Sequence, residues 1–265
     1  MTTETIYGRW VSEPLFGEDH SVQAVRTPIW RELLAGPEWW GLHLAPVYYG
    51  RGVPHGQGEP VMLVPGFLSA DWQMGEMFTW LGRIGYAPHF SRLGWNIDCP
   101  NASFRALSQR VQRVALETGQ RVRLVGHSLG GLLARSVALE HPESVAQVIC
   151  LAAPFQDVAY VHPVLVAAME VVRGHGGAPL TPNVRPTCYS GHCSCRFMEH
   201  MLAPSTFAVR RHAIYSRMDG LVAWQSCAEA EAEFNTEVMS SHMGMVANAD
   251  AYEAIAHALA GAAGC

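Results

Sequence analysis

Charged residues are scarce in this chain of 265 residues, and a hydrophobic run of membrane-spanning length is missing. Asp, Glu, Lys and Arg together make up 15% of the sequence, whereas hydrophobic residues make up 49%. This composition can fill a large buried core, and it predicts a surface with fewer charges than usual. Because no apolar run approaches the ~20 residues that cross a bilayer, we expect no transmembrane segment.

Basic clusters and a disulfide framework are missing as well. The net charge is −5, with acidic and basic residues interspersed, so nucleic acid is not expected as a partner. The N-terminal residues lack a basic stretch followed by an apolar one, and without such a secretory signal we expect a cytoplasmic protein. The seven cysteines are odd in number and mostly scattered, which favours reduced thiols.

The most informative pattern in the sequence is Gly126-His-Ser-Leu-Gly130. A short apolar strand is expected before it, at 121–125, and a helix-forming run follows at 132–139. A serine on so sharp a strand-to-helix turn has its hydroxyl exposed, and side chains at the two glycines would collide there. Ser128 is therefore the predicted nucleophile of a nucleophile elbow.

From residue 59 onward, strands alternate with helices, which predicts an α/β domain over 59–265 with a doubly wound, mostly parallel sheet. Strands are expected at 60–64, 87–93, 121–125, 145–151, around 214–215 and at 236–239, and helices at 70–84, 103–117, 132–139 and 249–259. Between about 155 and 210 the alternation stops. We expect a lid or cap insertion there, with a helix over 160–172.

Residues 1–58 form a Trp- and Pro-rich extension that we expect to pack on the core. Within it, 28–44 is predicted to form a helix with an apolar side made of Trp30, Leu33, Leu34 and Trp40. A membrane-surface anchor stays open as the alternative, so peripheral membrane contact is not excluded. The scarcity of Lys and Arg in this stretch argues against strong attraction to anionic lipid.

A serine hydroxyl needs a base to remove its proton, and the base needs a carboxylate to orient it. Asp219 follows the strand around 214–215, and His242 lies between the last strand and the final helix. Both positions belong to the carboxyl edge of a parallel sheet, where catalytic groups gather. His212 is expected before a strand and His257 inside a helix, so neither should reach that edge as easily.

An oxyanion formed at the serine needs backbone N–H donors. The first predicted donor is Leu129, at the start of the elbow helix, where the helix dipole also helps. The second is Phe67, in the turn that follows the first core strand, with Leu68 as the nearest competitor.

A mostly apolar cleft would suit a lipid-like substrate. Leu68, Phe155 and Trp224 are the predicted substrate-binding residues, and Trp72 and Phe67 are further candidates. The predicted insertion helix carries an apolar stripe that either packs on the core or lines an acyl pocket. The stripe consists of Val161, Val164, Leu165, Ala168, Met169 and Val172.

Three cysteines and a histidine cluster at Cys188, His192, Cys193 and Cys195. Three states are open to this cluster: a structural zinc site with His200 as a further ligand, a local disulfide, and free thiols in a lid loop. The spacing differs from the usual paired Cys-x2-Cys arrangement, so free thiols are favoured. We therefore predict no metal and no other cofactor.

Together these motifs resemble those of bacterial α/β-hydrolases of the lipase/esterase type, over residues 59 to 265. The matching segments are Val64-Pro-Gly-Phe67, Gly126-His-Ser-Leu-Gly-Gly131, Leu151-Ala-Ala-Pro154, Tyr215-Ser-Arg-Met-Asp-Gly220 and Ser241-His-Met-Gly244. Many such lipases have histidine where this chain has Pro65. The resemblance implies hydrolysis of a small hydrophobic ester through an acyl-enzyme on Ser128. An acyltransferase with the same triad and a non-catalytic binding protein stay open as alternatives.

Overall fold

The computed structural model describes residues 22–156, 159–174, 177–189, 193–202 and 208–261. In these ranges the strands are β1 (Val22–Ala24), β2 (Pro60–Val64), β3 (Ala87–Phe90), β4 (Val122–His127), β5 (Val145–Leu151), β6 (Ala159–Val161), β7 (Arg210–Tyr215) and β8 (Asn235–Glu237). The α-helices are α1 (Ala35–Leu44), α2 (Gly75–Arg83), α3 (Pro100–Thr118), α4 (Leu129–Glu140), α5 (Pro163–Arg173), α6 (Arg196–Leu202) and α7 (Ala249–Ala260).

Six strands form one sheet in the order β3-β2-β4-β5-β7-β8, and every neighbouring pair is parallel. Alternate residues of β2 belong to two different apolar clusters, which lie on opposite faces of the sheet. Val61 and Leu63 join the cluster that contains residues of α1, α2 and α7. Met62 and Val64 join the cluster that contains residues of α3, α4 and α6. Helices therefore cover both faces, which confirms the predicted fold class and explains the continuous apolar strands.

The parallel arrangement brings the carboxyl ends of all six strands to one edge of the sheet. The predicted site residues lie at this edge. Phe67 follows β2, Ser128 follows β4, Asp219 follows β7 and His242 follows β8. The bounds of β2 and β5 are those expected, and the helix expected at 70–84 begins as a 3-10 helix over Asp71–Met74 before continuing as α2.

The single helix expected at 160–172 is wrong at its start. Residues Ala159–Val161 form β6, which pairs in parallel with β1 at the beginning of the described chain. Pro163 then starts α5, and the ring of His162 accepts a hydrogen bond from the N–H of Val164 at 3.1 Å. The residues around 160 do not predict this strand, because β6 forms by pairing with β1, which lies far away in the chain.

The helix expected at 28–44 is two elements, a 3-10 helix over Ile29–Leu34 followed by α1. Its expected apolar side faces outward, since Trp30, Leu33 and Trp40 are 62%, 80% and 66% exposed. The inward positions carry Glu32 and Glu38, which are bonded to loops of the core. Residues 1–21 of the extension lie outside the described ranges. None of the described helices has the length and hydropathy needed to span a bilayer.

Candidate active site

Ser128 occupies the turn between β4 and α4, at the centre of the carboxyl edge. Its backbone has φ +51° and ψ −123°, a strained conformation for a residue with a side chain. The two neighbouring glycines have no room for a side chain. A Cβ at Gly126 would lie 2.4 Å from the carbonyl oxygen of Gly130, and a Cβ at Gly130 would lie 2.2 Å from that of Val64. Close packing of the elbow against β2 thus holds the serine in its strained turn.

Asp219 and His242 form a buried pair at the same edge. The Nδ1 of His242 is 2.7 Å from Oδ2 of Asp219, and the two residues are 3% and 5% exposed. The other carboxylate oxygen of Asp219 accepts hydrogen bonds from the N–H groups of Leu221 at 2.8 Å and Val222 at 2.7 Å. These bonds fix the carboxylate, and because a carboxylate can only accept, the neutral ring of His242 carries its proton on Nδ1.

The charge environment of His242 favours a proton on its ring. Burial alone would lower the pKa of His242, but the negative charge of Asp219 and its hydrogen bond raise it, with a further contribution from Glu32. The net effect is a pKa above the ordinary value for histidine. A ring in this setting can accept a proton readily.

The turn that follows β2 is held by Asn96, which is 1% exposed. Its side-chain Nδ2 donates to the carbonyl of Pro65 at 2.9 Å, and its backbone carbonyl accepts the N–H of Leu68 at 3.2 Å. The Leu68 amide is therefore occupied, whereas within the described ranges the N–H groups of Phe67 and Leu129 have no acceptor. Of the two donors weighed from the sequence, Phe67 is the one whose N–H is open to a ligand.

A cavity of about 140 Å³ lies over the elbow. Ser128, Leu129, His242 and Phe67 all line its wall. Of the three predicted substrate-binding residues, Phe155 lines it, but Leu68 and Trp224 do not. Leu68 is 41% exposed beside the turn, and the ring of Trp224 stacks on Tyr215 with centroids 5.3 Å apart.

Most of the remaining wall is apolar and comes from the insertion. Leu165 and Met169 of α5 line the cavity, as do Phe197, Met198 and Met201 of α6. Val161 of the predicted stripe lies on β6 and also lines the cavity, whereas its remaining members lie elsewhere. Val164 is 47% exposed, whereas Val172 is buried against Val184 and Cys188.

Thiols also line the cavity. Cys99, Cys188, Cys193 and Cys195 contribute to its wall, and all four are free. Cys99 caps the N-terminus of α3. The hydrogen bond from Cys188 and those from the N–H groups of Ala102 and Asn101 lower the pKa of Cys99 to about 6.

The described residues contain no group of three or more His, Cys, Asp or Glu side chains that could hold a metal ion. His192, one of the ligands weighed from the sequence, lies outside those ranges. His200 is bonded through Nε2 to Glu140 at 3.0 Å. The two competing histidines lie away from Ser128: His212 is on β7, where it contacts Thr236 at 2.8 Å, and His257 is on α7.

The sequence over residues 60–172 matches the family model for the alpha/beta hydrolase fold. The sheet order, the elbow and the doubly covered sheet described above agree with that match. The chain therefore has the α/β-hydrolase fold.

Solved structures of several lipases and esterases superpose on this one. The mature lipase BlEst2 of Bacillus licheniformis aligns with a TM-score of 0.52 at 14% identity, over 75% of this chain and 90% of that one. Carboxylesterase CesB of Bacillus subtilis aligns with a TM-score of 0.51 at 12% identity, over 88% and 99%. Lipase B of Aspergillus fumigatus aligns with a TM-score of 0.52 at 16% identity, over 80% and 54%. At such identities the likeness establishes the fold. The curated proteins gave no match to the sequence.

Three residues around this candidate site were not predicted from the sequence. Glu32 and Asn96 carried no motif, and only their hydrogen bonds identify them. His127 lies inside the elbow motif, but no role was predicted for it from the sequence. Its Nε2 lies 3.0 Å from the carbonyl oxygen of His242, a contact that sequence spacing could not predict.

Proposed function

We propose that this protein is a serine esterase of the lipase/esterase type, which cleaves a carboxylic ester with a hydrophobic acyl or alcohol part. One observation carries the proposal. A strained serine at a helix N-terminus shares a single apolar cavity with a histidine that is bonded to a buried carboxylate. That combination supplies a nucleophile, a base and an orienting acid for acyl transfer.

In the proposed acylation step, Ser128 Oγ attacks the ester carbonyl carbon, and its proton passes to Nε2 of His242. Asp219 keeps the opposite proton on Nδ1 and stabilises the imidazolium that forms. The negative charge on the former carbonyl oxygen is held by the N–H groups of Phe67 and Leu129. Collapse of this intermediate breaks the bond to the alcohol oxygen, which takes the proton from His242.

Deacylation follows the same route with water. His242 removes a proton from water as its oxygen attacks the acyl carbon, and the same amides hold the new oxyanion. The proton then passes to Ser128 Oγ, and the carboxylic acid leaves. No metal or cofactor takes part in this scheme.

The insertion between about 155 and 210 is proposed as a cap that forms the pocket for the apolar part of the substrate. The side chains that α5 and α6 contribute to the cavity wall support this role. A wall made largely of Leu, Met and Phe binds a hydrocarbon chain by removing its surface from water.

The test is hydrolysis of p-nitrophenyl esters with acyl chains of increasing length by the wild type and Ser128→Ala. We expect Ser128→Ala to lose at least about a thousandfold in kcat while keeping its thermal midpoint. A fluorophosphonate should label the wild type and spare the variant. Ester hydrolysis by Ser128→Ala at the wild-type rate would overturn the proposal.

Ser136→Ala is a matched control on the same helix. Ser136 is fully buried on α4, but it does not line the cavity. Its variant should keep hydrolysis and labelling. Addition of an alcohol to the assay tests for transfer, because an acyltransferase would form the corresponding ester in place of the acid.

A further inference from the structure

We propose that Glu32, in the segment before the α/β domain, is a positioning residue of the active site that joins the loop of Asp219 to the loop of His242. This inference rests on the proposed function. It makes residues 22–58 part of the catalytic apparatus, although none of the hydrolase motifs lies there.

The Glu32 carboxylate accepts three backbone hydrogen bonds from two different loops. Its Oε1 receives the N–H of Gly220 at 2.8 Å and the N–H of His242 at 3.0 Å. Its Oε2 receives the N–H of Met243 at 2.7 Å. One half-buried carboxylate therefore links the residue after the acid to the base itself, and this link fixes the separation of the two loops.

Gly220 provides the space for this link. A Cβ at Gly220 would lie 2.7 Å from Oε1 of Glu32, so any other residue would push the carboxylate away. Neighbouring side chains of the same segment also hold the acid loop. Thr27 Oγ1 donates to the carbonyl of Gly220 at 2.5 Å, and Arg31 Nη1 donates to the carbonyl of Arg217 at 2.8 Å.

Glu38 braces only the base loop. Its carboxylate accepts the N–H of Ser241 at 2.8 Å and Nδ2 of Asn248 at 3.0 Å. A Cβ at Gly244 would lie 2.3 Å from this carboxylate. Glu38 thus resembles Glu32 in chemistry and surroundings. Among the described hydrogen bonds it has none to the loop of Asp219, so it does not link the acid to the base.

The charge of Glu32 also acts on the base. The charged and titratable groups that face His242 are Asp219, the ring of His127 and the carboxylate of Glu32. His127 remains neutral because burial and its neighbour lower its pKa to about 3. Removal of the Glu32 charge should therefore destabilise the imidazolium of His242 and shift the acidic limb of the activity profile to lower pH.

The experiment measures kcat/KM against pH, together with thermal midpoints, for the wild type, Glu32→Gln, Glu32→Asp and Glu38→Gln. In Glu32→Gln we expect kcat/KM to fall about tenfold through kcat, and the acidic limb to move down by about half a pH unit. Glu32→Asp restores the charge on a shorter side chain. The acidic limb of Glu32→Asp should therefore lie closer to the wild-type pH than that of Glu32→Gln, even though its kcat stays reduced.

Glu38→Gln is the matched control, since it neutralises the other carboxylate of the segment. It should lower the thermal midpoint about as much as Glu32→Gln and leave the acidic limb at the wild-type pH. A limb that stays in place in Glu32→Gln, or moves equally in both glutamine variants, would overturn the positioning role. The positioning role would also be overturned if the loss of kcat/KM only paralleled the fall in thermal midpoint across all variants.

The Ser128→Ala variant separates this inference from the proposed function. If Ser128→Ala stays active, the serine mechanism fails, and the role of Glu32 fails with it. If Ser128→Ala is inactive while Glu32→Gln keeps the wild-type profile, only the positioning role is lost.

Discussion

The ring of His127 packs against the ring of His242, with centroids 4.7 Å apart, and its Nε2 is 3.0 Å from the carbonyl oxygen of His242. The carbonyl can only accept, so the proton of the neutral ring of His127 sits on Nε2. The residue before the proposed nucleophile thus holds the backbone of the proposed base. This contact ties the elbow to the loop that follows β8.

This buried contact should make the protein less stable in acid. Burial and the neighbouring His242 lower the pKa of His127 to about 3 in the folded state, whereas an unfolded histidine titrates near ~6.5. Between these values the unfolded chain holds more protons, so the free energy of unfolding falls as the pH falls. His127 alone should cost about 2 kcal/mol between pH 7 and pH 5.

Denaturant unfolding at pH 7 and pH 5 checks this prediction in the wild type and His127→Phe. The variant is less stable at pH 7, because the carbonyl of His242 loses its donor. It should nevertheless lose about 2 kcal/mol less than the wild type on acidification. His257→Gln, which alters an exposed histidine of α7, serves as control and should follow the wild type. Equal acid sensitivity of His127→Phe and the wild type would contradict the assignment.

Gly130→Ala should destabilise the elbow. Its new Cβ would meet the carbonyl oxygens of Val64 and Pro65 at 2.2 and 2.6 Å, and neither backbone group can move away freely. We expect a loss of about 3 kcal/mol in the free energy of unfolding, together with loss of the proposed esterase activity. Gly75→Ala is the control, because no atom lies within 4 Å of its added Cβ and alanine favours the helix. Thermal unfolding of both variants gives the comparison.

The fold class could be predicted because its signals are local. Apolar runs at 60–64 and 145–151 gave the bounds of two central strands, and alternation with helices indicated parallel pairing. The order of strands and helices along the chain also predicted that Asp219 and His242 lie on loops at one edge of the sheet. The 2.7 Å contact between them agrees with that placement. Their chemical roles stay a prediction.

Interactions between distant parts of the chain could not be predicted. The bond from His242 to Glu32 joins residues 210 positions apart, and the segment around Glu32 resembled an amphipathic helix with its tryptophans inward. Those tryptophans face outward, because the two carboxylates of the segment bind backbone N–H groups of the core. The strand at Ala159–Val161 escaped prediction for the same reason, since its partner β1 lies near the start of the chain.

Asn96→Ala should reduce catalysis by loosening the turn that carries Phe67. The Asn96 side chain is the donor to Pro65, and its loss leaves a buried carbonyl unpaired. If the N–H of Phe67 holds the oxyanion, kcat should fall by about a hundredfold while KM changes little. Ser103→Ala removes only the 3.4 Å contact from Ser103 Oγ to Asn96 Oδ1, so it should keep most of the activity. A large rise in KM with unchanged kcat would argue against this role.

Among the six cysteines that the structure describes, Cys99 should be the first to react with iodoacetamide at neutral pH. Its pKa is lowered to about 6, mainly by the hydrogen bond from Cys188, so most of it is thiolate at pH 7. Burial raises the pKa of Cys150 to about 11, and it also raises that of Cys227, so both should react slowly. In the reaction the thiolate attacks the methylene carbon and iodide leaves. Peptide mass mapping after short exposure identifies the modified residue.

The same modification reports on the pocket, because Cys99 and Ser128 line one cavity. The added carbamidomethyl group takes up part of the cavity, so hydrolysis of long-chain esters should fall much further than hydrolysis of a short acetate ester. Cys99→Ser should hydrolyse both esters and resist the reagent. If the reagent slows long and short esters equally in the wild type, or slows Cys99→Ser to the same extent, then the wall around Cys99 does not bind the acyl chain.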